Sequence, residues 1–141
     1  MSYKTIVLAA IAACGVLALF TSAADPSLPE AAVDADLGSA PDAVVGMTNT
    51  LKFEPDTVEV TSGETVEWRN TSLFVHTVTA DPDEATLEES VRLPDGAEAF
   101  DSGTIEPEGV FRHTFTTPGV YRYFCIPHEG VRMYGTVIVG D

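Results

Sequence analysis

Positive charge is scarce in this sequence. Lysine and arginine together number 7 against 22 aspartates and glutamates, and the lysines are Lys4 and Lys52 alone. Phosphate backbones are bound through a basic footprint, so the composition argues against nucleic acid as a partner. Cysteine is nearly absent too, with only Cys14 and Cys125. Cys14 lies in an apolar N-terminal stretch, so no disulfide framework is available and Cys125 stands as an unpaired thiol. Histidine occurs at His76, His113 and His128. No glycine loop of the phosphate-cradling kind stands out, nor a serine–histidine–acid arrangement, nor an internal repeat.

What is present begins with an N-terminal leader. At 141 residues the chain has room for one ordinary domain and a targeting segment. The uncharged run Thr5 to Phe20 follows Lys4 and ends in the small residues Ser22, Ala23 and Ala24, the pattern of a secretory signal cleaved before Asp25. Two other readings compete. Ile11 to Cys14 resembles a lipobox with Cys14 as the lipidated residue, and Thr5 to Ala24 is long enough to stay uncleaved as a membrane anchor. All three put the remainder outside the cytoplasm, in a periplasmic or other extracytoplasmic space. Residues 25–42 are rich in Ala, Asp and Pro without aromatics and read as an acidic flexible linker. The domain is expected over 43–141. Its acids are spread along the chain, which suits hydration in a salt-rich habitat; a docking patch that steers a basic protein is the alternative.

From Leu51 onward apolar residues alternate with polar ones between turn signals, predicting antiparallel sheet. Val58 and Val60 precede a turn at Ser62-Gly63, and Val66 and Trp68 follow it. In the segment around His76, the residues Val75, Thr77 and Thr79 fall on one face, with His76 and Val78 on the other. Phe111, His113 and Phe115 share a face, as do Tyr121, Tyr123 and Cys125 beyond the Pro118-Gly119 turn. Met133, Gly135, Val137 and Val139 line one side of the last strand. Asp83 to Glu89 is the exception and suggests one short helix. About seven short strands in one domain predict an all-β, two-sheet Greek-key sandwich.

Parity places Cys125 at the inner end of a strand, near one pole of the sandwich. Pro127 lacks an N–H and stops the ladder there. His128 follows in the loop, and Met133 opens the last strand on its inward face. One loop thus gathers a thiol, an imidazole and a thioether, and His76 can reach the same point from a distant strand. Two imidazoles and a thiolate with a weak thioether suit a copper ion cycling between Cu(I) and Cu(II). A metal-bound thiolate also explains how an exported protein keeps a lone cysteine.

The order Cys125-x-x-His128-x-x-x-x-Met133, with Pro127 before the histidine and His76 upstream, resembles the plastocyanin-like blue copper proteins, or cupredoxins. "FEPDTVEVTSGETVEWRN" is similar to that family's early strands, "PGVYRYFCIPH" to its penultimate strand and "MYGTVIV" to its last. Acidity and an exported topology make the resemblance strongest to the halocyanin or plastocyanin branch of salt-adapted prokaryotes. The resemblance implies one type 1 copper with His76, Cys125 and His128 as equatorial ligands and Met133 as the axial one. It also implies single-electron transfer between larger redox proteins through an edge at His128, ringed by Pro127, Val131, Leu73 and Phe74. The partners would be soluble or membrane-bound donors and acceptors, with the membrane reached through an N-terminal lipid or helix anchor. Four positions depart from the family pattern. Thr77 and Ile126 stand where Asn and Ser or Thr commonly brace the site, so that brace is altered or missing. Arg132 replaces a glycine before the methionine, and Phe124 replaces the tyrosine before the cysteine in plant proteins, which puts a remote docking route in doubt.

Plainer readings run beside these. Cys125 can be a buried structural thiol, His128 a loop histidine, His76 an uncomplexed strand histidine and Met133 core packing; His113 and Trp68 read as structural. Copper transport or buffering is the alternative function, and a structural zinc site fits less well because methionine is a poor fourth ligand for zinc. Three histidines are too few for the additional copper centres of an oxidase, so an enzyme is not expected.

Overall fold

A computed structural model describes residues 39–141. The expected leader, the candidate lipidation at Cys14 and nearly all of the expected linker lie outside them. Nine strands form two sheets: β1 Ala43–Met47, β2 Phe53–Glu54, β3 Thr57–Thr61, β4 Thr65–Asn70, β5 Thr79–Ala80, β6 Phe100–Asp101, β7 Val110–Thr114, β8 Gly119–Phe124 and β9 Tyr134–Gly140. One sheet has the order β2-β1-β4-β7 and the other β3-β9-β8-β5-β6. The expected all-β sandwich is what the chain builds. Its sheets are mixed, not purely antiparallel, since β1 pairs parallel to β4 and β3 parallel to β9.

The core is where alternation placed it. Val58, Val60, Val66, Trp68, Tyr121, Tyr123, Val137 and Val139 are all buried between the sheets. Tyr123 meets Phe53 and Trp68 edge to face, with ring centroids 4.7 and 5.3 Å apart. On the outer side of the first sheet, the buried Glu67 carboxylate takes Arg69 from its own strand and Arg112 from the paired position on β7. Burial would push that carboxyl up, but the two guanidiniums outweigh it and hold it below the ordinary range.

The helix expected over Asp83–Glu89 does not form. Two successive turns, Glu84 N–H to Asp81 O and Ala85 N–H to Pro82 O, lead instead into a single 3-10 turn at Glu88–Ser90. The reason is a competing acceptor. Glu129 receives the N–H groups of Thr86 and Leu87 and the Ser90 hydroxyl, at 3.1, 2.9 and 2.6 Å, so the donors are directed across to another loop and not along a helix axis.

A similar override explains the segment around His76. Only Thr79 and Ala80 join a strand there, and His76 makes an isolated bridge to Ile105. His76, Thr77, Val78 and Thr79 are all buried, so alternation does not sort this stretch into an inner and an outer face.

Candidate metal centre

Strand β8 carries Tyr121 and Tyr123 inward and ends at Phe124, which delivers Cys125 to the pole of the sandwich with its side chain fully buried. The chain then passes through Ile126–Val131 as two short 3-10 turns that meet at a kink at His128, φ −119° and ψ 17°, with Pro127 in the first turn. His128 N–H bonds to Cys125 O, at 3.0 Å, which folds the histidine back over the thiol. Arg132 closes the loop in the left-handed conformation, φ 60° and ψ 46°, its N–H on Glu129 O. That geometry is easiest for glycine, so Arg132 holds a mildly strained turn. Met133 lies just before β9, is buried, and accepts a bond from Cys125 N–H at 3.1 Å. Its backbone therefore sits beside that of the cysteine.

Three donor atoms converge. Cys125 Sγ is 3.2 Å from His128 Nδ1 and 3.6 Å from His76 Nδ1. The ligand atoms of His76, Cys125 and His128 lie within 4.8 Å of one another. His76 is buried and His128 half-buried. The His76 ring is fixed from behind: Ser72 Oγ is 2.8 Å from Nε2, and Ser72 in turn donates to Asn70 Oδ1. Asn70 spends its amide protons on Phe74 O and Ile105 O, so its oxygen is left to accept. Nε2–H donating to Ser72 leaves the Nδ1 lone pair facing the sulfur, the tautomer a metal requires. Neither Asn70 nor Ser72 stood out in the sequence. It is their burial in the fold that marks them.

Electrostatics agree with neutral nitrogen donors. Burial, together with the nearby His128, lowers the His76 pKa to about 4, and burial lowers that of His128. Burial pushes the Cys125 thiol up, offset in part by the Thr77 N–H, which donates to Sγ at 3.3 Å. The His128 backbone N–H also acts on the thiol in the same sense. Pro127 supplies none, as its ring dictates.

The brace expected to be altered or missing is present in altered form. Thr77 Oγ1 accepts the Ile126 N–H at 2.8 Å, tying the start of the ligand loop to the strand segment that carries His76. Phe124, in place of a tyrosine, is fully buried and offers no surface contact. His113 stacks on Phe100 at 4.2 Å, away from the sulfur, as a structural residue. Leu73, Phe74, Val75, Pro127 and Val131 are exposed.

Glu129 links this loop to the acidic segment Asp81–Ser90. Burial would raise its pKa, but the hydrogen bonds from Ser90, Leu87 and Thr86 outweigh burial and hold it below the ordinary 4.5. A depressed folded value stabilises the protein above the unfolded value, and that contribution is lost as pH falls through the folded one. Glu129→Gln should therefore cost about 1–3 kcal/mol at pH 7. The difference from the parent protein should shrink below pH 4.5 in acid unfolding curves; a constant difference across that range would contradict this role.

Relatives place the chain. The family described as copper binding proteins, plastocyanin/azurin family, matches residues 41–140. A plastocyanin of Scenedesmus fuscus is 36% identical over 96 residues, covering 65% of this chain and 90% of that protein. A chloroplastic plastocyanin of Tetradesmus obliquus is 35% identical over 96 residues, and the match spans 61% of that longer protein. A Cu(I) form of an amicyanin variant superposes with a TM-score of 0.56 at 28% identity, over 75% of this chain and 88% of that one. Copper fits the donors found here, since a buried thiol and two neutral imidazole nitrogens are the soft and intermediate ligands it selects. Thus the chain belongs to the plastocyanin/azurin family of blue copper proteins, which are electron carriers and not enzymes.

Proposed function

We propose that the protein carries single electrons between redox partners outside the cytoplasm. In this reading His76, Cys125 and His128 are the equatorial ligands of one type 1 copper and Met133 is its weak axial ligand. The observation that carries it is the convergence of both Nδ1 atoms on Cys125 Sγ. Copper bound there supplies a Cu(I)/Cu(II) couple. The chain's own residues do the rest. Ser72 and Asn70 hold the His76 ring, and the Ile126–Val131 turn holds His128. Backbone bonding between Cys125 and Met133 keeps sulfur and thioether on adjacent chain segments. Such rigidity supports similar geometry in both oxidation states, which keeps the reorganisation on electron transfer small.

His128 is the ligand with an edge toward solvent. The exposure of Leu73, Phe74, Val75, Pro127 and Val131 supports an apolar contact face in this reading, with Leu73 83% and Val131 63% exposed. An apolar face suits brief docking, in which a partner approaches the imidazole edge closely and leaves quickly. The apolar leader before Asp25 and the acidic linker to Asp42 support export and attachment by a tether.

Stopped-flow mixing of the Cu(I) protein with a cationic one-electron-accepting redox protein tests this reading. Oxidation should be fast, slow as salt rises because the net charge is −15, and leave copper on this protein. Transfer of the copper itself to a metal-free acceptor, ahead of any electron transfer, would favour copper delivery and overturn it.

A further inference from the structure

A line of polar groups leads from the ligand loop to the surface at Asp101. Thr77 Oγ1 accepts the Ile126 N–H at 2.8 Å, Thr79 Oγ1 is 3.0 Å from Thr77 Oγ1, and Asp101 Oδ1 is 2.6 Å from Thr79 Oγ1. Thr77 and Thr79 are buried, whereas Asp101 reaches solvent on β6, where it pairs directly with Thr79 across the ladder.

Thr79 is the donor at the centre of this chain. A backbone N–H can only donate, an ionised carboxylate can only accept, and each hydroxyl has one proton to give. Asp101 therefore accepts from Thr79, and the 2.6 Å distance is that of a charge-assisted bond. Thr79 directs the same hydroxyl toward Thr77 Oγ1 as well, so its proton is shared between two acceptors, and Thr77 Oγ1 accepts from both Thr79 and the Ile126 N–H. Chains of this kind polarise along their length.

Both ends of the Thr77 residue touch the ligand region. Its hydroxyl anchors Ile126, the residue after Cys125, while its own N–H points at Cys125 Sγ. We propose that Asp101 and Thr79, acting through Thr77, are positioning residues for the Cys125 sulfur. The proposal rests on the copper reading above and goes beyond it to two residues remote from the donor atoms. Holding Thr77 in one rotamer holds Ile126 and the N–H···S contact together, so the sulfur is gripped from the core side by a group anchored at the surface of the second sheet.

The test compares Thr79→Val, Thr79→Ser and Asp101→Ala with the parent protein, each checked for folding by circular dichroism. Two readouts are taken: Cu(I) affinity by chelator competition, and hydrogen exchange of the Ile126 amide in the metal-free protein. Residues that orient a ligand typically contribute about 10–100-fold to metal affinity, and a loss in that range is expected for Thr79→Val. Ile126 exchange should quicken with it. Thr79→Ser should restore both, and combining Thr79→Val with Asp101→Ala should cost little more than Thr79→Val alone, because the two act in one chain. Unchanged affinity and exchange in a folded Thr79→Val protein would overturn the proposal. Additive losses would overturn the relay through Thr79. A parent protein that binds no copper would overturn it together with the functional reading, whereas normal binding with indifferent variants would sink the relay alone.

Discussion

Cys125→Ser is expected to remove the intense visible band predicted for the copper-loaded protein. Such a band arises from charge transfer between a thiolate sulfur and Cu(II), and Cys125 is the lone cysteine of the described domain. A serine hydroxyl is a harder, far less acidic donor and does not replace a soft thiolate. It also fits the space left by the thiol, so the sandwich should persist with Tyr121, Tyr123 and the β8–β9 ladder unchanged. The loss in Cu(I) affinity should exceed the roughly 10–100-fold attached to residues that merely orient a ligand. A folded Cys125→Ser protein that kept the blue colour would show that the sulfur is not a ligand. Loss of colour with loss of the folded spectrum would instead mark Cys125 as a packing residue.

Gly135→Ala is the largest destabilisation expected from a single methyl group. Gly135 on β9 lies directly opposite Tyr123 on β8. A Cβ at Gly135 would fall 2.2 Å from Tyr123 Cζ and 2.3 Å from its hydroxyl oxygen, far inside any contact distance. The ring has little room to yield, because Phe53 and Trp68 pack edge-on against it and its residue is fully buried. Overpacking of this kind costs about 1–3 kcal/mol, and denaturation midpoints should fall accordingly. Tyr123 is two residues before Cys125, which directly follows β8, so displacement of the ring should also disturb the candidate metal centre. A second substitution, Tyr123→Leu, frees the space occupied by the ring; the cost of Gly135→Ala should shrink in that background. An equal cost in both backgrounds would mean the clash is not with Tyr123.

The parts of this protein that could be read from sequence are those encoded by local order. Cys125, His128 and Met133 lie in one loop, and a proline and a strand end set their relative positions, so their juxtaposition follows from spacing alone. Period-two alternation found the inward faces of β3, β4, β8 and β9. It carries no information on strand direction, and the parallel pairs β1–β4 and β3–β9 were accordingly invisible to it. His76 was placed by resemblance in strand order, since alternation fails where both faces are buried.

The polar supports were hidden for a different reason. Asn70, Ser72, Thr79 and Asp101 carry no functional signal in the sequence, and Thr77 stands out only as a departure from the family's brace, until the fold brings them into hydrogen-bond contact. The misjudged helix at Asp83–Glu89 belongs with them. Its residues favour a helix locally, and a carboxylate some forty positions away in sequence, Glu129, takes the donors that a helix would have used. Short-range propensity loses there to a long-range acceptor. Arg132 is the converse case: the left-handed turn before Met133 explains why glycine is frequent at that position, and the loop closes over an arginine all the same.

The most direct test of the account is the visible and EPR spectrum of the purified protein loaded with one equivalent of Cu(II). An intense blue absorption with narrow copper hyperfine splitting is predicted, the signature of unpaired spin shared between Cu(II) and a thiolate sulfur. A pale spectrum with the wide splitting of ordinary nitrogen- and oxygen-bound Cu(II) would contradict it, and would leave Cys125 a buried thiol beside two histidines.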